Sequence, residues 1–331
     1  MAPLAANETV SKVLAQYSIT KPKTIELLEA SNRNENFFIL DSGENKYILH
    51  RYRRNADKSR AIFQLKLQQH LLDNNFPTSE IVKTITSESI LTIDNTLWAL
   101  FTFVEGTEYN FSRLEQAAEA GRRLAQFHNI LSSFHADPIY LDFNLPIREV
   151  FLKSTSNLTQ MHEMFLNQGV DDELSSCRRW WEKLMNDLPL VVLDRLPSGW
   201  IHRDYHGRNV LFSGDEMCGL FDFDELTRGP LACDIAFGIH MFGREYRGSR
   251  KIRPEFANSF LIEYSRIRPV TRDEIEAFPS LLLFAYLPQT AYFVNHESDG
   301  DNVREMLIRE VTVLPEVEAE GKQLRSILAG M

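Results

Sequence analysis

The sequence predicts a two-lobed α+β protein, with a small β-rich N-terminal lobe and a larger helical C-terminal lobe. Short runs rich in β-branched and aromatic residues, separated by turn formers, occupy the first hundred residues. Beyond Gly106 the apolar residues recur at three- and four-residue steps, as in amphipathic helices. No Pro-, Gly- or Ser-rich linker interrupts the 331 residues, so the lobes are expected to be joined tightly.

The N-terminal lobe, residues 1–105, is predicted to hold a five-stranded sheet and one helix. Apolar runs of strand length lie at 36–40, 46–52, 80–85, 89–94 and 97–104. Turn formers at 41–45 separate the first two runs, and a turn at 94–95 separates the last two. The helix is predicted over 58–75, where Ile62, Leu65 and Leu72 lie close to one helical stripe.

A short connector, residues 101–106, leads into the C-terminal lobe, residues 107–331. Helical periodicity predicts helices at 112–134, 171–187, 254–266, 272–290 and 302–328. Ser112 followed by Glu115 predicts a capping box at the start of the first of these helices. His128 lies on the apolar stripe of the same helix, which indicates a core histidine rather than a ligand.

Composition and charge limit the classes of partner. A net charge of -10 argues against a general nucleic-acid binder, because phosphate backbones attract clustered cations. The longest apolar run, 281–287, is too short to span a bilayer, and the N-terminus lacks the basic start and apolar core of a secretion signal. The three cysteines show no paired spacing of the metal or redox kind. We therefore expect a cytoplasmic monomer or homodimer that binds neither nucleic acid nor membrane.

The segment 200–212, WIHRDYHGRNVLF, carries polar residues that a plain buried strand would not contain. Asn209 precedes one apolar run and Asp222 follows the next, with a turn between the two runs. A hairpin would bring the Asn209 amide oxygen and the Asp222 carboxylate side by side, and both are hard oxygen ligands of the type that Mg²⁺ uses. Asp204 would then lie near the metal, as a group that accepts a proton from an attacking hydroxyl.

These residues resemble the aminoglycoside phosphotransferase/choline kinase family, nearest its homoserine-kinase-like and stress-response-kinase-like branch. The pattern H-x-D-x-x-x-x-N occurs at His202, Asp204 and Asn209, and a D-F-D follows at 222–224. The family's typical HGDxHPGN…DFDD…GP…D is echoed here by HRDYHGRN…DFDE…GP…D, which ends at Asp234. The resemblance implies a two-lobed protein-kinase-like fold over essentially the whole chain.

The resemblance also implies roles for these residues. Asp204 would be the catalytic base, and Asn209 and Asp222 would bind the Mg²⁺ that bridges the phosphates of ATP, although GTP stays open as the donor. Asp224 would be a second ligand or part of the substrate wall, while His202 and Asp234 would brace the catalytic loop. The adenine would meet the connector backbone, between apolar side chains of both lobes, at Phe101, Thr102, Phe103 and Val104.

The residue that grips the nucleotide phosphates departs from the family pattern. Aligning 46–52 on the strand that usually carries a lysine or arginine places His50 at that position, and Arg51 should point to the opposite sheet face. The glutamate that usually pairs with the cation falls near Gln64. Three interpretations stay open. His50 binds the phosphates with support from Gln64, or Arg51 is the ligand in a shifted alignment, or the nucleotide grip is weakened.

The acceptor is expected to be a small molecule with a hydroxyl group, because only nine residues separate Asp224 from Asp234 and a peptide platform needs more. The family places the acceptor site within 107–190 and 225–300, where Tyr109, Glu225 and Arg228 are candidates for substrate contacts. The primary hypothesis is therefore a small-molecule kinase. The alternatives are a protein serine/threonine kinase of the stress-response type and a nucleotide-binding regulator with little turnover.

Overall fold

The computed structural model describes residues 4–30, 34–52, 57–135, 146–249, 251–297 and 300–329. The chain divides into two compact units. The first unit comprises Met1–Thr107, Phe134–Tyr140 and Cys218–Phe221, and the second comprises Glu108–Ser133, Leu141–Met217 and Asp222–Met331. Within the described residues, no helix has the length and apolar character that crossing a membrane requires.

The first unit is built on an antiparallel sheet of six strands. The strands run in the order β1-β2-β3-β6-β4, and β5 also pairs with β6. Their bounds are β1 Pro22–Ala30, β2 Asn34–Asp41, β3 Lys46–Tyr52, β4 Ile81–Val82, β5 Leu91–Ile93 and β6 Thr96–Thr102. The register pairs His50 with Asn36 and Arg51 with Glu35 across β3 and β2.

A helix lies against each of two apolar clusters of this sheet. Helix α1, Leu4–Leu14, contributes Val10 and Val13 to a cluster that includes Leu49 of β3. Helix α2, Lys58–Asp73, contributes Leu65 to a second cluster that includes Ala99 of β6. Because successive strand residues point to opposite faces, the two clusters cover both faces of the sheet.

The prediction of five strands and one helix in the N-terminal lobe was incomplete. Strand β1 and helix α1 were both missed. β1 begins at Pro22, its pairing with β2 shifts register at two places, and Leu28 is exposed, so the regular alternation that signals a strand is broken. The predicted strand 80–85 is also shorter than expected, because a turn with Ser87 at φ 67° follows its first residues.

The second unit is mainly helical and also contains two pairs of short strands. Its helices are α3 Leu114–Leu131, α4 Ile147–Phe165, α5 Asp171–Asp187, α6 Leu190–Leu193, α7 Leu231–Gly243, α8 Pro254–Ile267, α9 Arg272–Glu297 and α10 Gly300–Ala329. Strands β7 Ser198–Ile201 and β10 Thr227–Pro230 pair antiparallel, and β8 Val210–Ser213 pairs with β9 Glu216–Leu220, whose last three residues belong to the first unit. Helices α4, α6 and α7 were not predicted from the sequence.

Helix α3 is the element that braces the polar segment after β7. It packs so closely on α8 that a Cβ atom at Gly121 would lie 2.0 Å from the backbone oxygen of Phe260. On its other side, buried Glu119 accepts a hydrogen bond from the backbone N–H of Met217 at 3.3 Å. The Tyr205 hydroxyl donates to the Ala120 carbonyl at 2.8 Å. The strands that carry the polar motif are therefore tied to a helix in the core of the unit.

Candidate active site

Two short strand pairs determine where the polar motif lies. Ile201 pairs with Thr227 across β7 and β10, so the two ends of the segment 202–226 lie next to each other. Within that segment β8 and β9 form a hairpin whose turn contains Gly214 at φ 64°, a left-handed value that glycine adopts without strain. Asn209 directly precedes β8 and Asp222 lies two residues after β9. Both side chains therefore lie at the open end of the hairpin.

Asn209 binds Asp204 directly. The Asn209 Nδ2 donates to the Asp204 backbone oxygen at 2.9 Å and to the Asp204 Oδ2 at 3.0 Å. These two bonds use both N–H groups of the amide and so determine its orientation. The Oδ1 atom of Asn209 is left as an acceptor for another partner.

His206 also contacts the Asp204 carboxylate, with its Nε2 atom 3.4 Å from Oδ1. The backbone N–H of Arg208 donates to His206 Nδ1 at 3.3 Å, so Nδ1 is an acceptor and the ring proton is carried by Nε2. Asp204 is therefore held at one oxygen by Asn209 and approached at the other by His206. No role for His206 was predicted from the sequence, although its position two residues after Asp204 was a usable signal.

Asp222 is surrounded by other carboxylates. Its backbone has φ 58°, a left-handed conformation that is uncommon for residues other than glycine but is tolerated by aspartate. Desolvation by the surrounding protein and repulsion from Asp224, Asp204 and Glu225 raise the pKa of Asp222 to about 6. The Asp224 N–H, which donates to Asp222 Oδ1 at 3.3 Å, offsets only part of this effect. The site thus has an excess of carboxylate charge that a cation would relieve.

The donor set suits Mg²⁺ better than a transition metal. In the described parts of the chain, no three His, Cys, Asp or Glu side chains are grouped so that they could hold a metal ion. Mg²⁺ commonly takes only one or two carboxylates from the protein and completes its shell with water and substrate phosphates. The spare oxygen of Asn209 and the carboxylate of Asp222 fit that pattern.

Asp234, in the first turn of α7, anchors the segment that carries Asp204. Its side chain is 1% exposed and accepts the backbone N–H groups of His202 at 2.6 Å and Arg203 at 2.8 Å. The His128 Nε2 lies 3.2 Å from the same carboxylate, and the His128 Nδ1 lies 2.8 Å from the Tyr264 hydroxyl. His128 is a buried core residue, as its place on the apolar stripe predicted.

His202 is fully buried, and its ring packs among those of Phe127, Tyr205 and Phe223. Its Nδ1 accepts the backbone N–H of Asp204 at 3.3 Å. The histidine thus supports the loop from inside the core and has no exposed surface with which to contact a substrate.

The three candidates for substrate contacts have different surroundings. Tyr109 is 5% exposed, and its hydroxyl donates to the Phe242 carbonyl at 2.6 Å. Burial raises the pKa of this phenol, and the ring packs on Phe242, so the structure corrects the expectation of a substrate contact and makes Tyr109 a core residue. Arg228 is exposed on β10, with its guanidinium 5.3 Å from the centre of the Trp200 ring. Glu225 lies among the carboxylates around Asp222.

The candidates for binding the nucleotide phosphates lie on opposite faces of β3. The His50 Nδ1 is 2.7 Å from the Asn36 Oδ1, and its ring packs edge-on against Tyr52. Arg51 forms an ion pair with buried Glu35 at 2.8 Å, and its guanidinium lies 5.3 Å from the centre of the Trp98 ring. Arg51 is therefore engaged on the face that carries the α1 cluster. Gln64 lies half-buried on α2.

The connector offers fewer free backbone groups than expected. The N–H of Thr102 donates to Glu80 and that of Phe103 to Lys46, both at 3.0 Å, and Phe101 belongs to the ladder of β6 with β3. The N–H groups of Thr102 and Phe103 are thus already used within the first unit. Within the described residues, Val104 makes no hydrogen bond through its backbone.

Comparison with known proteins identifies the family of the chain. The model of the phosphotransferase enzyme family matches residues 24–278. A homoserine kinase of Parvibaculum lavamentivorans is 27% identical over 278 residues, which is 83% of this chain and 81% of that protein. An aminoglycoside phosphotransferase from Alicyclobacillus acidocaldarius superposes with a TM-score of 0.71 at 18% identity, over 100% of this chain and 98% of that chain. The amicoumacin kinase hAmiN, in complex with AMP-PNP and Ca²⁺, also gives a TM-score of 0.71, at 16% identity over 94% and 93% of the chains.

The solved structures show the fold, and they confirm the kinase-like α+β class that the motif implied. The family match extends well beyond half of the chain and includes all of the polar motif from His202 to Asp234. The chain therefore belongs to the phosphotransferase enzyme family and is a small-molecule kinase.

Proposed function

We propose that this protein transfers the γ-phosphoryl group of ATP, with Mg²⁺, to a hydroxyl of a small molecule, and that amino alcohols related to homoserine are the first acceptors to test. One observation carries the proposal. Asn209 binds the Asp204 carboxylate, and the carboxylates of Asp222, Asp224 and Glu225 lie nearby. The mutual repulsion of these charges would be relieved by a bound cation. The homoserine kinase relative supports the choice of acceptor class.

Asp204 acts as the base in this proposal. Its Oδ2 is occupied by the Asn209 amide, and its Oδ1, with His206 Nε2 at 3.4 Å, is the oxygen that accepts the proton of the acceptor hydroxyl. The hydroxyl oxygen forms a bond to the γ-phosphorus, the bond from that phosphorus to the β,γ-bridging oxygen breaks, and ADP leaves. Because the transition state of phosphoryl transfer is loose, most of the rate comes from position and charge, so the hydrogen bonds that hold Asp204 matter as much as its basicity.

Asn209 Oδ1 and the Asp222 carboxylate would hold the metal. When bound, Mg²⁺ would neutralise charge on the nucleotide phosphates. Asp224 contributes a further carboxylate, and its backbone N–H orients Asp222. The contribution of Asp234 and His202 is indirect, because both bind the backbone of the loop rather than an exposed surface.

Nucleotide recognition in the first unit is assigned to His50 and Val104. His50 is favoured over Arg51 because Arg51 already pairs with Glu35. The amide oxygen Oδ1 of Asn36 accepts from His50 Nδ1, so Nε2 would donate to a phosphate only when His50 is protonated to the imidazolium. Val104 is favoured for adenine because its backbone groups have no hydrogen-bond partner within the described residues.

The test is ADP release from Mg-ATP with a panel of amino alcohols, aminoglycosides and nucleosides. We expect release with one class of acceptor and only slow release without acceptor. Asp204→Ala should lower turnover by on the order of 10²–10⁴-fold and leave nucleotide affinity nearly unchanged. Asp194→Ala is the matched control, because Asp194 is an acidic residue whose side chain pairs with Arg148 at the surface.

The same assay separates the two alternatives. ADP release that requires a protein acceptor and no small molecule would favour a protein serine/threonine kinase. Tight nucleotide binding with no release under any condition would favour a regulator. Loss of nucleotide binding in Asp204→Ala would contradict the assignment of the base.

A further inference from the structure

A pocket in the second unit lies beside the backbone that carries Asp204. Its cavity volume is about 60 Å³, and it is open to solvent on one side. Most of its wall is apolar, with Ile147, Phe237, Leu281 and Phe284 among the lining residues. Arg203 and Asp234 are the two charged residues in that lining.

The charge that this pocket offers to a ligand comes from Arg203. The carboxylate of Asp234 is already satisfied, because it accepts the N–H groups of His202 and Arg203 and lies 3.2 Å from His128 Nε2. The Arg203 guanidinium, by contrast, makes a single ion pair within the described residues, to Glu225 at 3.9 Å. That distance is too long for a hydrogen bond, so the five N–H donors of the guanidinium stay available.

The backbone holds Arg203 in an unusual conformation. Its φ is 65°, which is left-handed and strained for a residue with a long side chain. The position corresponds to the glycine of the HGD pattern quoted above, and glycine would adopt this backbone conformation freely. The chain therefore keeps an arginine where the backbone favours glycine, and the hydrogen bond from its N–H to Asp234 helps to hold it there.

We infer that Arg203 recognises a carboxylate on the acceptor, so that the substrate class is a small hydroxy acid or hydroxy amino acid rather than a polycationic antibiotic. This inference rests on the phosphotransferase function proposed above. A guanidinium binds a carboxylate through two parallel hydrogen bonds, which orients the ligand as well as attracting it. Arg203 directly precedes Asp204 in the chain, which places the proposed carboxylate ligand one residue from the proposed base.

The surrounding charges sharpen this selectivity. Glu225 would meet the positive amine of a zwitterionic acceptor, and the side chains of Arg203 and Glu225 are 26% and 35% exposed, so both are only partly screened by water. The apolar wall formed by Phe237 and Phe284 would contact the carbon chain. A ligand with one carboxylate, one amine and a short apolar chain matches all three features.

The test uses pairs of acceptors that differ only in the carboxylate. L-Homoserine and 3-aminopropan-1-ol form one pair, and L-serine and ethanolamine form another. The readout is the ratio of kcat/KM between the two members of each pair. We expect at least one pair to favour the carboxylated member by about 10- to 100-fold, which corresponds to a hydrogen-bonded charge pair.

Two variants test whether Arg203 causes the preference. Arg203→Gln should reduce the ratio to near one, mainly through a higher KM for the carboxylated acceptor, and Arg203→Lys should restore part of it. Arg148→Gln is the matched control, because Arg148 lies on α4, next to the lining residue Ile147, but pairs with Asp194 at the surface. It should leave the ratio unchanged. A circular dichroism melting curve of each variant checks that it is folded.

The outcomes distinguish this inference from the proposed function. If carboxylate-free acceptors react as well as carboxylated ones, or if only carboxylate-free acceptors react, the inference is overturned and the phosphotransferase function stands. If Arg203→Gln lowers kcat equally for both members of a pair, Arg203 serves only the loop structure and the inference is again overturned. If no hydroxyl acceptor of any class releases ADP, the proposed function fails first, and the inference fails with it.

Discussion

The amide nitrogen of Asn209 lies 3.0 Å from Oδ2 of Asp204 and 2.9 Å from the backbone oxygen of the same residue. One side chain thus binds both the carboxylate proposed as the base and the backbone that carries it. The relationship also turns the Asn209 oxygen away from Asp204. The two groups that the motif places five residues apart therefore form one structural unit, and each should depend on the other.

Asn209→Asp tests this dependence with almost no change in shape. The substitution keeps an oxygen donor for the metal but replaces the N–H donor with a second oxygen, next to the Asp204 carboxylate. We expect kcat to fall by about 10- to 100-fold, the usual loss when a group that orients a reactive residue is removed, while the Mg²⁺ requirement persists. Steady-state kinetics at varied Mg²⁺ measures both quantities.

Asn129→Asp is the control for this substitution, because Asn129 lies exposed on α3. It should leave kcat unchanged. An Asn209→Asp variant with normal turnover would mean that Asp204 needs no support from the amide.

Asp234→Asn tests the anchor of the catalytic segment. The carboxylate accepts the backbone N–H groups of His202 and Arg203, and an amide would present an N–H to one of them. We expect the free energy of unfolding to fall by about 2 kcal/mol, the scale of a hydrogen bond to a charged group, and kcat to fall as well. Urea denaturation and ADP release measure the two effects.

Asp194→Asn is the matched control, since it removes a carboxylate whose ion pair with Arg148 lies at the surface. Surface pairs of this kind contribute little to stability. An Asp234→Asn variant that keeps wild-type stability and turnover would show that the loop is held by other contacts.

His50→Ala and Arg51→Ala should separate nucleotide binding from stability. Removal of His50 should weaken ATP affinity by about tenfold, the scale of one hydrogen bond to a charged group. Removal of Arg51 should leave ATP affinity unchanged and lower the melting temperature, because it breaks the ion pair with buried Glu35. Calorimetric titration with Mg-ATP and thermal denaturation give the two readouts. The opposite result would restore Arg51 as the phosphate ligand.

The arrangement of the polar motif could be predicted from the sequence because it depends on residues that are close together in the chain. The turn residues at 213–216 predict a hairpin, and a hairpin brings the residues before and after it together, so the arrangement of Asn209 and Asp222 follows. The predicted strand 46–52 and the predicted helix 171–187 also have the bounds of β3 and α5. Regular alternation and strong amphipathicity made these elements readable.

Helix caps show where local rules fail. The predicted capping box at Ser112 is wrong, because α3 begins at Leu114 with Arg113 at its N-cap and no side-chain cap. A reciprocal pair forms instead at the start of α9, where Glu274 accepts the N–H of Thr271 at 2.9 Å and the Thr271 hydroxyl accepts the N–H of Glu274 at 3.3 Å. Both sites have the same spacing, so the tertiary surroundings decide which one forms.

A helix that is buried on all sides lacks the alternation of apolar and polar residues by which a helix is predicted from sequence. Ten of the thirteen residues of α7 are buried, which leaves little contrast between an apolar and a polar face. Tyr109 was misassigned for a related reason. Its partner for the hydroxyl is a backbone carbonyl 133 residues away, at Phe242, and no local feature reveals such a contact.

Glu320 on α10 predicts a dependence of stability on pH. Its Oε1 accepts the N–H of Ile252 at 2.9 Å, and its Oε2 is buried with no hydrogen-bond partner in the described part of the chain. Burial, followed by repulsion from Glu316, raises the pKa of Glu320 to about 7 from an ordinary value of 4.5, although Ile252 and Lys251 act in the opposite direction. The folded protein therefore holds this proton more tightly than the unfolded chain.

The direction in which stability changes with pH follows from the difference between the pKa of Glu320 in the folded and in the unfolded state. Below pH 4.5 the group is protonated in both states, whereas between 4.5 and about 7 only the folded state keeps its proton, so rising pH removes stability through this window. Glu320→Gln cannot ionise, and its melting temperature relative to the wild type should rise from pH 4.5 to 7 and then stay constant. The control Glu318→Gln should behave in the opposite way, because pairing with Lys322 at 2.8 Å and Lys183 at 3.1 Å lowers the pKa of Glu318. That variant should be less stable than the wild type at neutral pH, with a deficit that shrinks as the pH falls below 4.5, and parallel pH profiles for the two variants would contradict both assignments.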